Sequence, residues 1–111
     1  MHRRQFAIPL AVAFFVIAAS PSHAQSINIS SGKKRAEVCM ACHGADGIST
    51  ASPGIPRLAG QDRDYLVKAL RAYRIGTQRT DETMTAMAKP LSDSDIVDIA
   101  AFFNSLPPRG P

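Results

Sequence analysis

Hydrophobic positions fall into two kinds of stretch along the chain. From Phe6 to Ala19 the sequence is apolar without a single charge (FAIPLAVAFFVIAA). Beyond residue 25, apolar residues instead recur at three- and four-residue intervals, the period of a helix with one buried face, and little alternates at the two-residue period of a strand. That spacing predicts three helices. The first runs from about Ser31 to Met40, with Ser30 or Ser31 as its cap and Ala36, Val38 and Cys39 near one face. The second runs from about Asp62 to Ile75, placing Tyr65, Leu66, Ala69, Leu70 and Tyr73 inward, and Arg63, Lys68, Arg71 and Arg74 mostly outward. Arg71 and Arg74 fall late in this helix, where cations suit the helix dipole, and Gly76 supplies the left-handed stop. The third helix starts at Ser92, whose hydroxyl is a cap followed by Asp93 and Asp95 in the first turn. It carries Ile96, Ile99, Ala100, Phe103 and Leu106 as its stripe and ends at Pro107-Pro108, which lack backbone N–H groups.

The connections are as informative as the helices. Residues 44–60 are rich in Gly, Pro, Ser and Ala, and residues 77–91 hold two Met and one Pro. Connections longer than ~12–15 residues are usually functional or disordered. Here both are expected to wrap a group that is not protein. There is no internal repeat.

The early apolar run has a different explanation. It follows the basic segment His2-Arg3-Arg4 and precedes Ser-Pro-Ser-His-Ala, with the small residues Ser22 and Ala24 at the spacing of a cleavage site. This is the form of a secretory signal peptide. The run is shorter than the ~20 residues that span a bilayer, and Pro9 interrupts it. The expectation is therefore cleavage after Ala24, export to the periplasm, a single domain over residues 25–111, and no stable membrane insertion afterwards. Charge changes meaning with it. The chain carries a formal +4, but Arg3 and Arg4 lie in the leader, so residues 25–111 hold 11 Lys and Arg against 9 Asp and Glu. That near-balance, without a basic stripe interleaved with aromatics, gives no sign of nucleic-acid binding. Lys33-Lys34-Arg35 reads as a solvated helical turn.

A domain of this size buries a modest share of its surface and commonly needs a disulfide, a metal or a bound group to hold it. Both cysteines of the chain, and the only histidine after residue 25, lie in Cys39-Met40-Ala41-Cys42-His43. CxxCH is the attachment motif of a c-type haem. Two thiols at that spacing can add to the two vinyl groups on one porphyrin edge, and the next imidazole can reach the iron. A zinc site would need four protein ligands, and no Cys or His follows His43. A thioredoxin-like redox pair needs a βαβ setting that the periodicity lacks. A Cys39–Cys42 disulfide would close a very short loop and contribute little stability. A haem held only by His43 would leave one axial position open. Methionine serves in cytochromes c, and Met40 lies within the attachment loop, leaving Met84 and Met87, expected in a polar loop ahead of the third helix.

Residues 25–111 resemble the small bacterial class I cytochromes c, which occur as single-haem carriers or as half of tandem two-haem proteins. The matching stretches are VCMACHGADG (38–47), IPRLAGQDRDYLVKAL (55–70) and MTAMAKPLSDSDIVDIAAFFNSL (84–106). The resemblance implies an all-α fold, with three or more helices and long loops around one covalently attached haem c and one porphyrin edge open to solvent. It implies thioether bonds at Cys39 and Cys42, His43 as proximal ligand, and Met84 as distal ligand with Met87 as fallback. It also places on Pro56 the carbonyl that accepts a hydrogen bond from the proximal imidazole, and on Gly32 the crossing of the first helix with the last, beside Phe102 or Phe103. There is no second CxxCH, so one haem is expected. The function implied is single-electron transfer between redox proteins, a reductase or dehydrogenase upstream and an oxidase or reductase downstream. The rival, an open-iron haem enzyme or gas sensor, needs a vacant sixth site and a polar distal group. The chain has no distal histidine and two methionines placed to fill the position.

Overall fold

The computed structural model describes residues 1–20 and 26–109. Residues 1–20 are exposed and form neither helix nor strand. The leader's expected cleavage point, after Ala24, lies outside the described residues. The rest is all-helical: α1 (Ile29–Arg35), α2 (Glu37–His43), α3 (Arg63–Ile75), α4 (Glu82–Ala88) and α5 (Asp93–Ser105). Among the described residues no helix is long and apolar enough to cross a membrane.

Among the described residues five helices stand where the spacing predicted three, for two reasons. The expected first helix is longer and is interrupted at Ala36 (φ −78°, ψ −3°). The Ala36 N–H still donates to Gly32 O at 2.8 Å, and Met40 N–H donates to Ala36 O at 3.0 Å, so α1 and α2 run on with little break. The cap is not Ser30 or Ser31 but Asn28, whose side chain accepts from Ser31 N–H at 2.9 Å. Asn28 is held there because its own N–H donates to Asp98 Oδ1 on α5 at 2.9 Å. The second reason is α4, which forms inside the segment expected to be a polar loop. Asp81 caps it, accepting from Met84 N–H at 2.9 Å.

α3 and α5 form as their sequences predict. Asp62 caps α3 through Tyr65 N–H at 2.7 Å, and Gly76 closes it in the left-handed region (φ +75°). α5 opens with a capping box: Ser92 Oγ accepts from Asp95 N–H at 3.0 Å, and the Asp95 carboxylate accepts from Ser92 N–H at 3.0 Å. That backbone donor, ahead of Arg35, holds the Asp95 carboxyl below its ordinary value. Arg35 also bonds Asp95 at 3.0 Å, joining α1 to the start of α5.

The core is small: Ala36, Leu66, Ile99, Ala100, Phe102 and Phe103, with Cys39, Met40, Leu58, Val67, Leu70, Leu91 and Leu106 half-buried around it. α5 buries more than its expected stripe, taking Ala101 and Phe102 inside as well, and both α1 and α3 pack against it. Tyr65, expected inward, is exposed.

Gly32 marks the helix crossing, one turn earlier along α5 than expected. A β-carbon there would sit 2.0 Å from the Asp98 carbonyl oxygen and 3.1 Å from Ile99 N. The obstacle is helix backbone, which cannot swing aside as a side chain would. Gly32→Ala should therefore separate α1 from α5 and destabilise the fold by about 1–3 kcal/mol, the usual cost of overpacking. A denaturant melt checks this, and a variant that melts with the native protein would remove the close crossing.

Candidate haem-attachment site

α2 presents its chemistry through helical spacing. Cys39 and Cys42 are three residues apart and His43 is four from Cys39, so all three share one side of the last turn. The thiols differ in setting. Cys39 is half-buried against the core, and burial pushes its pKa up, helped by Cys42 and opposed by a backbone hydrogen bond. Cys42 is exposed, and neither cysteine is in a disulfide.

His43 is only 6 % exposed and is the one buried polar or charged side chain among the described residues. Its Nδ1–H donates to Pro56 O at 2.7 Å. A carbonyl can only accept, so the proton belongs on Nδ1 and Nε2 keeps its lone pair. Nε2 has no hydrogen-bond partner among the described residues. A buried imidazole with one nitrogen tied to a carbonyl and the other free to coordinate is the arrangement of a metal-binding histidine.

The long connection exists to bring that carbonyl back. Gly44 ends α2 at φ +87°, where a β-carbon would lie 2.6 Å from Ser49 O. Asp46 then ties the turn, accepting from Ile48 N–H at 2.8 Å, Ser49 N–H at 2.8 Å and Ser49 Oγ at 2.7 Å. Ala51 N–H donates to Cys42 O at 2.8 Å, and Leu58 N–H to Gly47 O at 2.9 Å, folding the loop against the end of α2. Its far end is pinned to α5 by Gly60 N–H to Phe103 O at 3.0 Å and Asn104 Nδ2 to Gln61 O at 2.8 Å.

Met84 is half-buried on α4, whereas Met87 is 38 % exposed. Met40 packs on the core from α2. Beside Met84, Thr85 Oγ1 is the one enclosed side-chain polar atom without a partner among the described residues. Two arginines anchor the segment. Arg74 on α3 donates to Leu91 O at 3.1 Å and to Asp93 Oδ1 at 2.6 Å. Its charge and hydrogen bond hold the Asp93 carboxyl below the ordinary carboxylate range. Arg79 donates to Tyr65 Oη at 3.1 Å and to Tyr73 Oη at 3.4 Å. Sequence reasoning missed Asp46, Arg74 and Arg79 as anchors. Only Asp46 carried a signal, since an Asp two and three residues before free amides favours an Asx turn.

The donor set fits a covalently held haem: two unpaired thiols one helical turn apart, and an adjacent imidazole whose tautomer is fixed. It does not fit zinc. Among the described residues no three His, Cys, Asp or Glu side chains gather as a metal-holding group.

Together these features define a c-type cytochrome. The family model for cytochrome c matches residues 29–107, and the chain belongs to that family of electron-transfer proteins with covalently bound haem. It is 50 % identical over 74 residues to cytochrome c4 of Pseudomonas aeruginosa, covering 67 % of this chain and 36 % of that protein. It is 45 % identical over 76 residues to cytochrome c-554(548) of Halomonas halodenitrificans, covering 67 % of this chain and 90 % of that one. A third relative, 42 % identical over 72 residues, is the thiosulfate dehydrogenase electron acceptor of Thiomonas intermedia, covering 65 % of this chain and 33 % of that protein. The solved structure of reduced cytochrome c4 from Pseudomonas stutzeri superposes with TM-score 0.68 at 39 % identity, covering 74 % of this chain and 47 % of that one. The chain thus spans 36 % of the Pseudomonas aeruginosa cytochrome c4 and 90 % of the Halomonas protein.

The Asp46 turn has a sharp pH signature. Hydrogen bonds from Ser49 and Ile48 N–H, then the Ser49 hydroxyl, lower its carboxyl pKa to about 2. Since the folded value lies below the unfolded one, its stabilising effect is fully present above the ordinary carboxylate range. It is lost as pH falls through about 2. An NMR titration should show the Asp46 carboxyl titrating there, and Asp46→Ala should speed hydrogen exchange at the Ile48 and Ser49 amides. An ordinary carboxylate titration, or unchanged exchange in the variant, would show that Asp46 does not hold the turn.

Proposed function

We propose that this chain is a periplasmic single-electron carrier holding one haem c. In this reading Cys39 and Cys42 form its thioethers, His43 and Met84 are the axial ligands, and Met87 is the fallback distal ligand. The observation that carries the reading is the 2.7 Å bond from His43 Nδ1 to Pro56 O. It fixes the tautomer that coordinates through Nε2 and raises ligand basicity, within a CxxCH sequence at the end of a helix. The bound haem would supply an iron centre that takes up and releases one electron.

The protein's own contribution is ligand identity, hydrogen bonding and burial. Cys39, half-buried, and Cys42, exposed, would place one attachment point against the core and the other at the surface. Met84 would offer a soft thioether, which favours the reduced state and a positive potential. Met84 is favoured over Met87 because it is the more buried of the two and its backbone is fixed by the Asp81 cap. Partners would be a reductase or dehydrogenase upstream and an oxidase or reductase downstream, met in brief encounters with small interfaces. The relative in Thiomonas intermedia, named as an electron acceptor of thiosulfate dehydrogenase, supports a partner of this class. Residues 1–24 would serve as a cleaved export leader.

Covalent attachment is tested by mass. Protein exported alongside haem-attachment machinery should have the intact mass of residues 25–111 plus one haem and keep its colour through acid–acetone extraction. Haem that extracts freely defeats the attachment, and a retained leader defeats the cleavage. Cys39→Ser with Cys42→Ser should leave a largely unfolded chain by far-UV circular dichroism, because a group bound only by the folded state adds to stability.

Distal ligation is tested separately. Met84→Ala should abolish the weak far-red band of Fe(III)–thioether ligation, lower the reduction potential and admit carbon monoxide. Met87→Leu should keep the band. The reverse pattern would transfer the role to Met87.

A further inference from the structure

We infer that Arg79, gripped by Tyr65 and Tyr73 of α3, is a positioning residue that holds the entry of α4 and thereby keeps Met84 in place. The inference rests on the proposal that Met84 is the distal ligand.

α4 has seven residues. Isolated helices shorter than about 12–15 residues are marginal in water, so α4 depends on what fixes its ends. The exit is secured by Arg74, which bonds both Leu91 O and Asp93 at the start of α5. The entry is thinner. After Gly76 closes α3, residues 77–80 make no backbone hydrogen bond among the described residues. Within that stretch only the Arg79 side chain is tied down, through Tyr65 Oη and Tyr73 Oη. The guanidinium carbon also lies 5.8 Å from the Tyr65 ring centroid and 5.3 Å from that of Tyr73. Both are within cation–π range.

The grip is separated from the ligand by few bonds. Two residues beyond Arg79 is Asp81, whose carboxylate receives Met84 N–H at 2.9 Å. If the entry drifts, the cap drifts with it, and the cap holds the backbone of the residue proposed to reach the iron. Among the described residues no carboxylate pairs with Arg79. The two phenols are therefore its anchors, and their side chains belong to a 13-residue helix packed on the core. This also accounts for Tyr65 lying exposed at a position the helical pattern assigns to the core: its hydroxyl reaches Arg79 rather than a buried partner.

Loosening this grip should raise the fraction of molecules in which Met84 is detached without unfolding the domain, a local opening of one segment. The test uses the haem-loaded Fe(III) protein and exogenous imidazole, which can bind only where the distal ligand has left. Apparent affinity scales with the open fraction. Removing the hydrogen bonds in Tyr65→Phe with Tyr73→Phe, or the whole grip in Arg79→Leu, should tighten imidazole binding by about tenfold. The far-red band should also be lost at lower temperature, while the far-UV melt of the helices moves less. Arg63→Gln, which removes an exposed α3 charge outside the grip, should match the native protein. If the grip variants bind imidazole as Arg63→Gln does, or lose band and helicity together, Arg79 is not a positioning residue. Met84→Ala is measured alongside. If it keeps the band, the ligand assignment fails and the clamp with it. If it loses the band while the grip variants behave natively, the clamp alone fails.

Discussion

The hydrogen bond between His43 and Pro56 is the constraint on which the rest of the structure turns. A buried imidazole cannot leave Nδ1–H without an acceptor, because an unsatisfied buried donor costs about 1–3 kcal/mol. The acceptor is 13 residues away in a segment with no helix or strand. That segment must therefore be held by local devices. Asp46 closes the first turn, Ala51 N–H returns to Cys42 O, and Gly60 N–H fastens the far end to α5. The loop's richness in Gly, Ser and Pro follows from the number of sharp reversals required in a short distance. It has few buried apolar side chains of its own, and Leu58 is the main one to reach the core.

The methionine side of the molecule is organised around α3. Its arginine at residue 74 fixes where α4 ends, and its tyrosines at residues 65 and 73 fix where α4 begins. α3 is thus both a wall of the core, through Leu66, and a frame for a short helix that lacks stability of its own. The histidine side is braced by backbone turns closed by short side chains such as Asp46, and the methionine side by long side chains reaching from other elements. Reaching arginines suit a segment whose position must be set from a neighbouring element, whereas turns suit one that folds back on itself.

Local chemistry was legible in the sequence and long-range geometry was not. The Ser92 cap, the Gly76 stop and the Ile96, Ile99, Ala100 and Phe103 positions of the α5 stripe each depend on residues within one or two turns, and each forms as the spacing predicts. The CxxCH segment was readable because its spacing is dictated by one covalent group, whereas the carbonyl role of Pro56, 13 residues from His43, came only from the family resemblance. The break at Ala36 carries no Pro or Gly to announce it. Asn28 displaces Ser30 and Ser31 as cap because Asp98, 70 residues away, holds its backbone. α4 is hard to see locally because ETMTAMA, although it places Met84, Met87 and Ala88 at helical spacing, is only seven residues long and carries two β-branched threonines. Its helix is stabilised by the Asp81 cap and by anchors on α3, which no local pattern contains. The displacement of the Gly32 crossing to Asp98 and Ile99 has the same origin, since helix register across an interface is set by packing.

The distribution of half-buried residues shows what such a domain needs. Among the described residues the largest fully buried side chains are Phe103, Ile96 and Ile99. Around them stand Cys39, Met40, Leu58, Val67, Leu70, Leu91 and Leu106, apolar yet incompletely covered. They come from α2, α3, the connection after α2, the α4–α5 connection through Leu91 and the end of α5 through Leu106. A protein core that closed on itself would not require so many polar ties between its walls. On the proposed reading, the half-covered apolar faces of Cys39, Met40, Leu58, Val67 and Leu70 would be completed by a haem bonded to the Cys39 and Cys42 thiols. Stability and function would then share one cause, because the ties that hold the 44–60 connection and α4 would be the same ones that aim His43 and Met84.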